Sequence, residues 1–357
     1  MKIRFFIPAL YNSAGMERIS TGLANILKRK GYDCGFVVKE SNTNSFFPLL
    51  EGITIKSLNV DGDIKKVRCK AGKELRKYLK EEHPDIFVNV DVSMIQISAL
   101  ACHFLYGVKM LTWEQFSAAA INTLPKKLQR YLATTICRKM IVLTEADKAM
   151  YPKILQKKVC VIGNFTQINP ENIHTNLSNN TVISVGRMAN EKGFDLLLQA
   201  WQKVKEAYPD WKLKIFGGGK EEYVSMLKNL AHKLQVEDVV ELNAPVKEIG
   251  REYEKASIYV LPSRHEPFGL VLIEAKSFGL PVVSFDCPYG PKEIVKDGVD
   301  GFLAENENVE DLANKLKALI ADKALREKFS FEAIEDYKAR WAENRVEDKW
   351  TTLLNNL

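Results

Sequence analysis

Short apolar runs alternate with longer stretches of helical period along the whole chain. Residues 3–10, 34–38, 53–58, 85–90, 108–113, 140–143 and 159–162 read as strands. Between them, 19–30 predicts a helix ended by Gly31, and 65–82 predicts a basic helix closed by His83 and Pro84. The polar run 166–180, rich in asparagine at Asn169, Asn172, Asn176, Asn179 and Asn180, reads as a linker between domains. The pattern then restarts, with strands at 181–185, 211–216, 239–242, 257–261 and 281–285. A helix over 194–207 carries Leu196, Leu197, Ala200 and Val204 on its apolar side, and 309–320 and 332–354 read as amphipathic helices. Alternation of this kind predicts an α/β fold with parallel, doubly wound sheets. Two runs of it predict two such Rossmann-like domains, 1–165 and 166–337.

Length agrees, since 357 residues suit two cores better than one. No window approaches the about 18 apolar residues of a membrane span. The run 1–8 is too short, and Pro8 too early, for a secretory signal, so the chain is expected to be cytoplasmic. Cys34, Cys69, Cys102, Cys137, Cys160 and Cys287 show no metal or redox spacing, and reduced, buried thiols are expected. The net charge of +6 hides a split: residues 1–165 hold 26 Lys and Arg against 14 Asp and Glu, and residues 166–357 hold 25 against 31. One half therefore suits an anionic partner, an anionic membrane surface as well as any. No nucleic-acid motif accompanies the charge, and nucleic acid is not expected as a partner.

Candidate chemistry concentrates after the strand at 257–261. Glu266, Pro267, Phe268, Gly269 and Leu270 form a turn that opens a short helix, where backbone N–H groups and the helix dipole make an anion site. Glu274 lies inside that apolar helix with no basic residue three or four positions away. It is read either as a structural ion pair with a distant Lys or Arg, or as an acceptor of paired ligand hydroxyls such as those of a ribose. After the strand at 181–185, Arg187 and Lys192 share one loop, a guanidinium fork and a point charge suited to a diphosphate. Gly217, Gly218 and Gly219 end the next strand and leave room for a ligand. In the first half, Ser13 to Glu17 follows the first strand, where open parallel sheets bind ligands, and Gly15 permits close backbone approach. Asp61-Gly62-Asp63 reads as a turn, and no metal site is expected.

Two glutamates with seven residues between them, Glu266 and Glu274, the intervening stretch opening with Pro267-Phe268-Gly269, resemble the E-x7-E motif of the family 4 retaining glycosyltransferases. Gly186-Arg187 followed by Lys192-Gly193 is similar to that family's second motif. The resemblance is strongest over 181–303. It implies the GT-B fold, two doubly wound domains with an interdomain cleft and the segment 338–357 packing back on the first, and transfer of a sugar from a nucleoside diphosphate donor, expected to be UDP-linked. It assigns the diphosphate to Arg187 and Lys192, donor-sugar hydroxyls to Glu266, the ribose to Glu274, and anion-binding N–H groups to Phe268, Gly269 and Leu270. It places Gly217 and Val246 beside the nucleotide, Gly15 at the phosphate from the other domain, and no cofactor in the reaction. The acceptor it implies is a glycan or lipid-linked polysaccharide precursor, met by a peripheral enzyme on the inner face of the plasma membrane. The basic, apolar-interleaved stretches 65–80 and 125–132 are the candidates for that surface, each against a reading as a solvated helix face. Two positions depart from the family. Ala14 stands for a glycine of the first loop, and Gln115, in Trp113-Glu114-Gln115-Phe116-Ser117, stands where a histidine is frequent, so that position cannot titrate. The alternatives are a GT-B sugar-nucleotide epimerase and a non-catalytic two-lobed sugar-binding protein.

Overall fold

A computed structural model describes residues 1–12, 14–102, 108–116, 123–168, 175 and 177–357. Ser13, Ser117, Asn169, Asn172 and Asn176 lie outside the described residues. The chain divides into two units, Met1–Phe165 with Glu343–Leu357, and Thr166–Ala342.

In the first unit, β1 (Lys2–Ile7), β2 (Asp33–Val38), β3 (Thr54–Ser57), β4 (Ile86–Val90), β5 (Lys109–Trp113), β6 (Lys139–Val142) and β7 (Val159–Val161) form one sheet in the order β3-β2-β1-β4-β5-β6-β7. Every pairing is parallel. The central strands are apolar on both faces because helices cover both, and β4 is buried at every position. Edge strand β3 alternates exposed and half-buried residues instead. Phe6 and Phe87 stack across neighbouring strands at 5.7 Å, and Leu75, Leu79, Met94 and Met140 join them in one core. The helix Glu343–Asn355 belongs to this unit: Trp350 meets Trp113 edge-on at 4.9 Å, and Glu347 pairs with Lys30 at 2.6 Å.

In the second unit, β8 (Thr181–Val185), β9 (Lys212–Phe216), β10 (Val240–Asn243), β11 (Ile258–Leu261), β12 (Val282–Phe285) and β13 (Gly301–Ala304) run in the order β10-β9-β8-β11-β12-β13, again all parallel. Its core gathers Trp201, Leu213, Ile215, Val260, Val283 and Leu316. In each sheet the chain winds outward from one central pair in opposite directions, β1 and β4 in the first, β8 and β11 in the second. The carboxyl ends of such a pair leave a crevice in which parallel sheets bind ligands.

Two features differ from the sequence reading and a third refines it. The stretch 332–354 is two helices, Lys323–Arg340 and Glu343–Asn355, because Ala342 N turns back to Tyr337 O at 2.9 Å while Trp341 packs edge-on against Phe268. The polar run 166–180, read as a linker between domains, begins at the boundary of the two units, and its described residues belong to the second, with Thr166 and Leu177 buried. Cys34, Cys137 and Cys287 are buried as expected, but Cys69 is exposed and Cys160 half-buried, and all five are free thiols. Asp63 caps the helix Ile64–Glu82, accepting from Lys65 N at 2.9 Å, which makes the Asp61–Asp63 segment a helix-opening turn. No described helix is long and apolar enough to cross a membrane.

Candidate functional site

Two loops carry the predicted residues of the second unit, one after β8 and one after β11. Lys192 closes the first and Glu266 begins the second, and the structure brings them together: Lys192 Nζ lies 2.6 Å from Glu266 Oε2, with Ser263 Oγ donating to the same oxygen at 3.3 Å. The pair sits at the carboxyl edge between the diverging strands. Glu266 is nearly buried, so the cation stabilises a carboxylate that would otherwise be costly there. Arg187 stands on the same loop as Lys192, its side chain 72% exposed and paired to Glu191, itself exposed. Such exposed pairs contribute little and exchange readily for a stronger anion.

A clamp that the sequence reading missed fixes the two loops to each other. Arg264 is bidentate to Asp195, at 2.8 and 2.7 Å, and also donates to Asn190 O at 2.7 Å and to Glu307 at 3.0 Å. Against the cost of burial, Arg264 holds the Asp195 carboxyl below its usual range. The Arg264 N–H donates to Glu191 O at 2.9 Å. Gly193 lies so close beneath Pro262 that a Cβ would stand 2.0 Å from its carbonyl oxygen, so only glycine lets Lys192 and the turn after β11 approach this closely.

The turn at Glu266 to Leu270 is held from the far side by Tyr289 and Gly290. Gly290 N donates to Glu266 O at 2.9 Å, and Tyr289 bridges Glu266 in parallel register. Gly269, at φ +98°, precedes the helix Leu270–Ser277, which no side chain caps at its amino end. That helix is buried on nearly all sides, which explains its lack of a polar face. Glu274 points one way from it and accepts from the Tyr253 hydroxyl at 3.0 Å. Burial and the nearby Glu274 carboxylate push the Tyr259 phenol well up, and its hydroxyl donates to Val185 O, the last residue of β8, at 3.3 Å. Lys276 points the other way and is buried against Asp300 at 2.8 Å, Asp336 at 2.5 Å and the carbonyl of Ile294 at 2.8 Å.

Gly217 follows β9 directly under the β8 loop. A Cβ there would stand 1.8 Å from Gly186 O, and Met188 N donates to Gly218 O at 2.7 Å. The glycines thus give their room to the neighbouring loop. Val246 is exposed in the loop after β10, two strands from β8. Among the described residues, no three His, Cys, Asp or Glu side chains group as metal ligands.

Gly15 lies in the first unit, exposed, as the first residue of the helix Gly15–Arg29, and Ala14 before it is extended at φ −91°, so alanine fits the position where the family has glycine. The same sheet edge holds a buried polar group that the sequence reading did not assemble. Glu114 Oε1 accepts from Arg130 Nε at 2.7 Å, and Oε2 from the Tyr151 hydroxyl at 2.8 Å. Gln115 accepts from Asn164 Nδ2 at 3.2 Å. Burial pushes the Glu114 carboxyl up to about 7 against the pull of Arg130 and Tyr151. The folded state then binds a proton that the unfolded chain has lost, so stability falls as pH rises from the ordinary carboxylate range through about 7. Glu114→Gln is expected to flatten that fall, checked by thermal midpoints at about pH 5 and about pH 8.

The profile of the glycosyl transferases group 1 family matches residues 165–336. An uncharacterized glycosyltransferase of Haemophilus influenzae is 40% identical over 322 residues, covering 89% of this chain and 90% of that protein. The amylovoran biosynthesis glycosyltransferase AmsD of Erwinia amylovora is 28% identical over 363 residues, covering 99% of each. Among solved structures, Anabaena Alr3699/HepE in complex with UDP and glucose superposes with a TM-score of 0.81 at 20% identity over 100% of both chains. Two doubly wound units of this kind define a GT-B fold. The chain belongs to the glycosyl transferases group 1 family and is a glycosyltransferase.

Proposed function

We propose that the enzyme moves a sugar from a nucleoside diphosphate donor, UDP-linked, to a hydroxyl of a lipid-linked glycan or polysaccharide precursor, with retention of anomeric configuration. The observation that carries this reading is the Lys192–Glu266 pair at the diverging strand ends, with Arg187 exposed on the same loop. In this reading Arg187 and Lys192 bind the diphosphate and offset the charge that develops on the leaving group. Glu266 then accepts from donor-sugar hydroxyls, and Glu274, oriented by Tyr253, from the ribose. The N–H groups of Phe268, Gly269 and Leu270 add the field of a helix amino end. Gly217 and the segment at Val246 lie along the nucleotide. The leaving phosphate itself takes the acceptor proton as attack comes from its own face of the sugar, so neither a separate base nor a cofactor enters. The name of AmsD and the UDP and glucose bound by the Anabaena structure support a polymer setting and a UDP-sugar donor. The enzyme works in the cytoplasm, peripheral on the inner membrane face.

The test is incubation with UDP-, GDP- and ADP-sugars and a lipid-linked acceptor, followed by proton NMR of the product. A product with the donor's anomeric configuration is expected. An inverted product, an epimerised donor, or binding without turnover contradicts the proposal.

A further inference from the structure

One residue beside Glu266 holds a backbone conformation that its own side chain disfavours. Tyr289 stands at φ +94°, in the left-handed region that a bulky residue enters only at a cost. Five other described residues besides glycine share a positive φ, and each has a local reason. His83 ends the helix Ile64–Glu82, and Gln235 N turns back to His232 O after the helix Glu221–Lys233. Asp91 accepts from Ser93 N, Asn59 N donates to Ser57 Oγ, and Glu307 pairs with Arg264. Tyr289 has the bulkiest side chain of the six. It is half-buried, and no described residue bonds its hydroxyl.

The surroundings impose the strain. Tyr289 is paired with Glu266 in parallel register, and Gly290 N donates to Glu266 O at 2.9 Å. A Cβ on Gly290 would stand 2.3 Å from Phe268 O and 2.6 Å from Glu266 O, so the chain is pressed against the turn that carries Glu266. Before Tyr289, Asp286 N is tied to Ala304 O at 2.7 Å, and after it Pro291 opens the helix Pro291–Ile294. Glycine meets a positive φ without steric cost, and the very next position is a glycine. Position 289 nevertheless holds tyrosine. Strain kept in this way, next to a residue of the site, points to a use for the side chain.

We infer that Tyr289 determines donor specificity: its ring packs on the transferred sugar beside Glu266, and its hydroxyl reads a hydroxyl of that sugar. Tyrosine suits the task because it joins an apolar ring to one polar tip, and a sugar presents both C–H and hydroxyl surface. The inference rests on the proposed function, which gives donor-sugar hydroxyls to Glu266. It assigns Tyr289 to the sugar and not to the diphosphate, which lies with Arg187 and Lys192 in that reading.

Two measurements on the full chain test it. The first needs no ligand. Tyr289→Ala removes the ring and keeps the strained backbone, whereas Tyr289→Gly removes the ring and relieves the strain. The glycine variant should therefore melt about 2–4 °C above the alanine variant. The second is isothermal titration calorimetry with UDP, UDP-glucose, UDP-galactose and UDP-N-acetylglucosamine. For the sugar that the wild type prefers, Tyr289→Gly should weaken binding about tenfold and Tyr289→Phe about fivefold, while UDP alone stays within about twofold in both. The preference among the three sugars should narrow in step. A glycine variant that melts at or below the alanine variant overturns the inference. So do variants that keep the wild-type preference, or that weaken UDP as much as UDP-sugar, since tyrosine would then only brace the turn. A wild type that binds none of the four overturns the proposed function as well. That result is distinct from failure of the inference alone, in which the wild type still binds its sugar nucleotide.

Discussion

Replacing Lys192 by alanine is expected to lower kcat by about a hundred- to a thousandfold, the range that follows loss of one preorganised charge at a developing anion. Two effects act together. In the proposed mechanism the substitution removes the cation that meets the leaving diphosphate, and it strips nearly buried Glu266 of its 2.6 Å partner, leaving Ser263 at 3.3 Å. Glu266, nearly buried and without its counterion, would then turn toward water and no longer present its carboxylate to the donor sugar. Arg187→Ala should behave differently. Its side chain is 72% exposed and tied to exposed Glu191, so folding should be untouched while donor affinity falls. Steady-state kinetics with a saturating acceptor separates the two. A Lys192→Ala enzyme that keeps kcat within about threefold would remove the cation from the mechanism.

Lys276→Met should destabilise the second unit by about 3–5 kcal/mol, the cost of breaking a buried ion pair from one side. Lys276 is fully buried and answers Asp300 and Asp336 together. Asp336 keeps Arg340 and Lys296 when the lysine goes, but fully buried Asp300 loses the counterion of one oxygen and keeps the backbone N–H of Lys296 on the other. For a domain of this size the drop corresponds to roughly 6–20 °C in melting temperature. Lys276→Met combined with Asp300→Asn should recover part of it, because no uncompensated carboxylate then remains at that position. Although burial opposes it, the pull of Arg340, Lys276 and Lys296 holds the Asp336 carboxyl far below its usual range. Its contribution is therefore complete above the ordinary carboxylate pKa and is lost only in strong acid. Differential scanning calorimetry of the whole chain reads both effects, and a loss below about 1 kcal/mol would show that the lysine is dispensable.

The parts of the site that were legible in sequence are those whose chemistry is contiguous and tied to a strand end. Arg187 and Lys192 share one loop, and Glu266 and Glu274 bracket one turn and one helix, so their spacing together with the family resemblance marked them as candidates. The parallel sheets were legible for a related reason: central strands covered on both faces must be continuous apolar runs. Edge strand β13 was missed, as were the helices Ile95–Cys102 and Glu221–Lys233. Asp195 and Arg264 form their clamp across 69 positions, and each looks like an ordinary surface charge in its own segment. The signal available was weak: an Asp in the first turn of one helix and an Arg just before a glutamate after a strand. Glu274 could not be assigned from its own helix because its partner, Tyr253, comes from the short helix Gly250–Glu254. The helix Leu124–Ile136 shows the limit most plainly. Its amphipathic period was readable, but which face turned inward depended on Glu114, a residue outside the helix.

The most direct measurement of the central claim is thermal stabilisation by UDP-sugars, wild type beside Arg187→Ala and Lys192→Ala. A donor at about 100 times its dissociation constant should stabilise the wild type by about 2.7 kcal/mol, and both variants should lose most of that shift while melting as folded proteins. A full shift in both variants, or none in the wild type with any nucleotide sugar, would contradict a diphosphate site at these two cations.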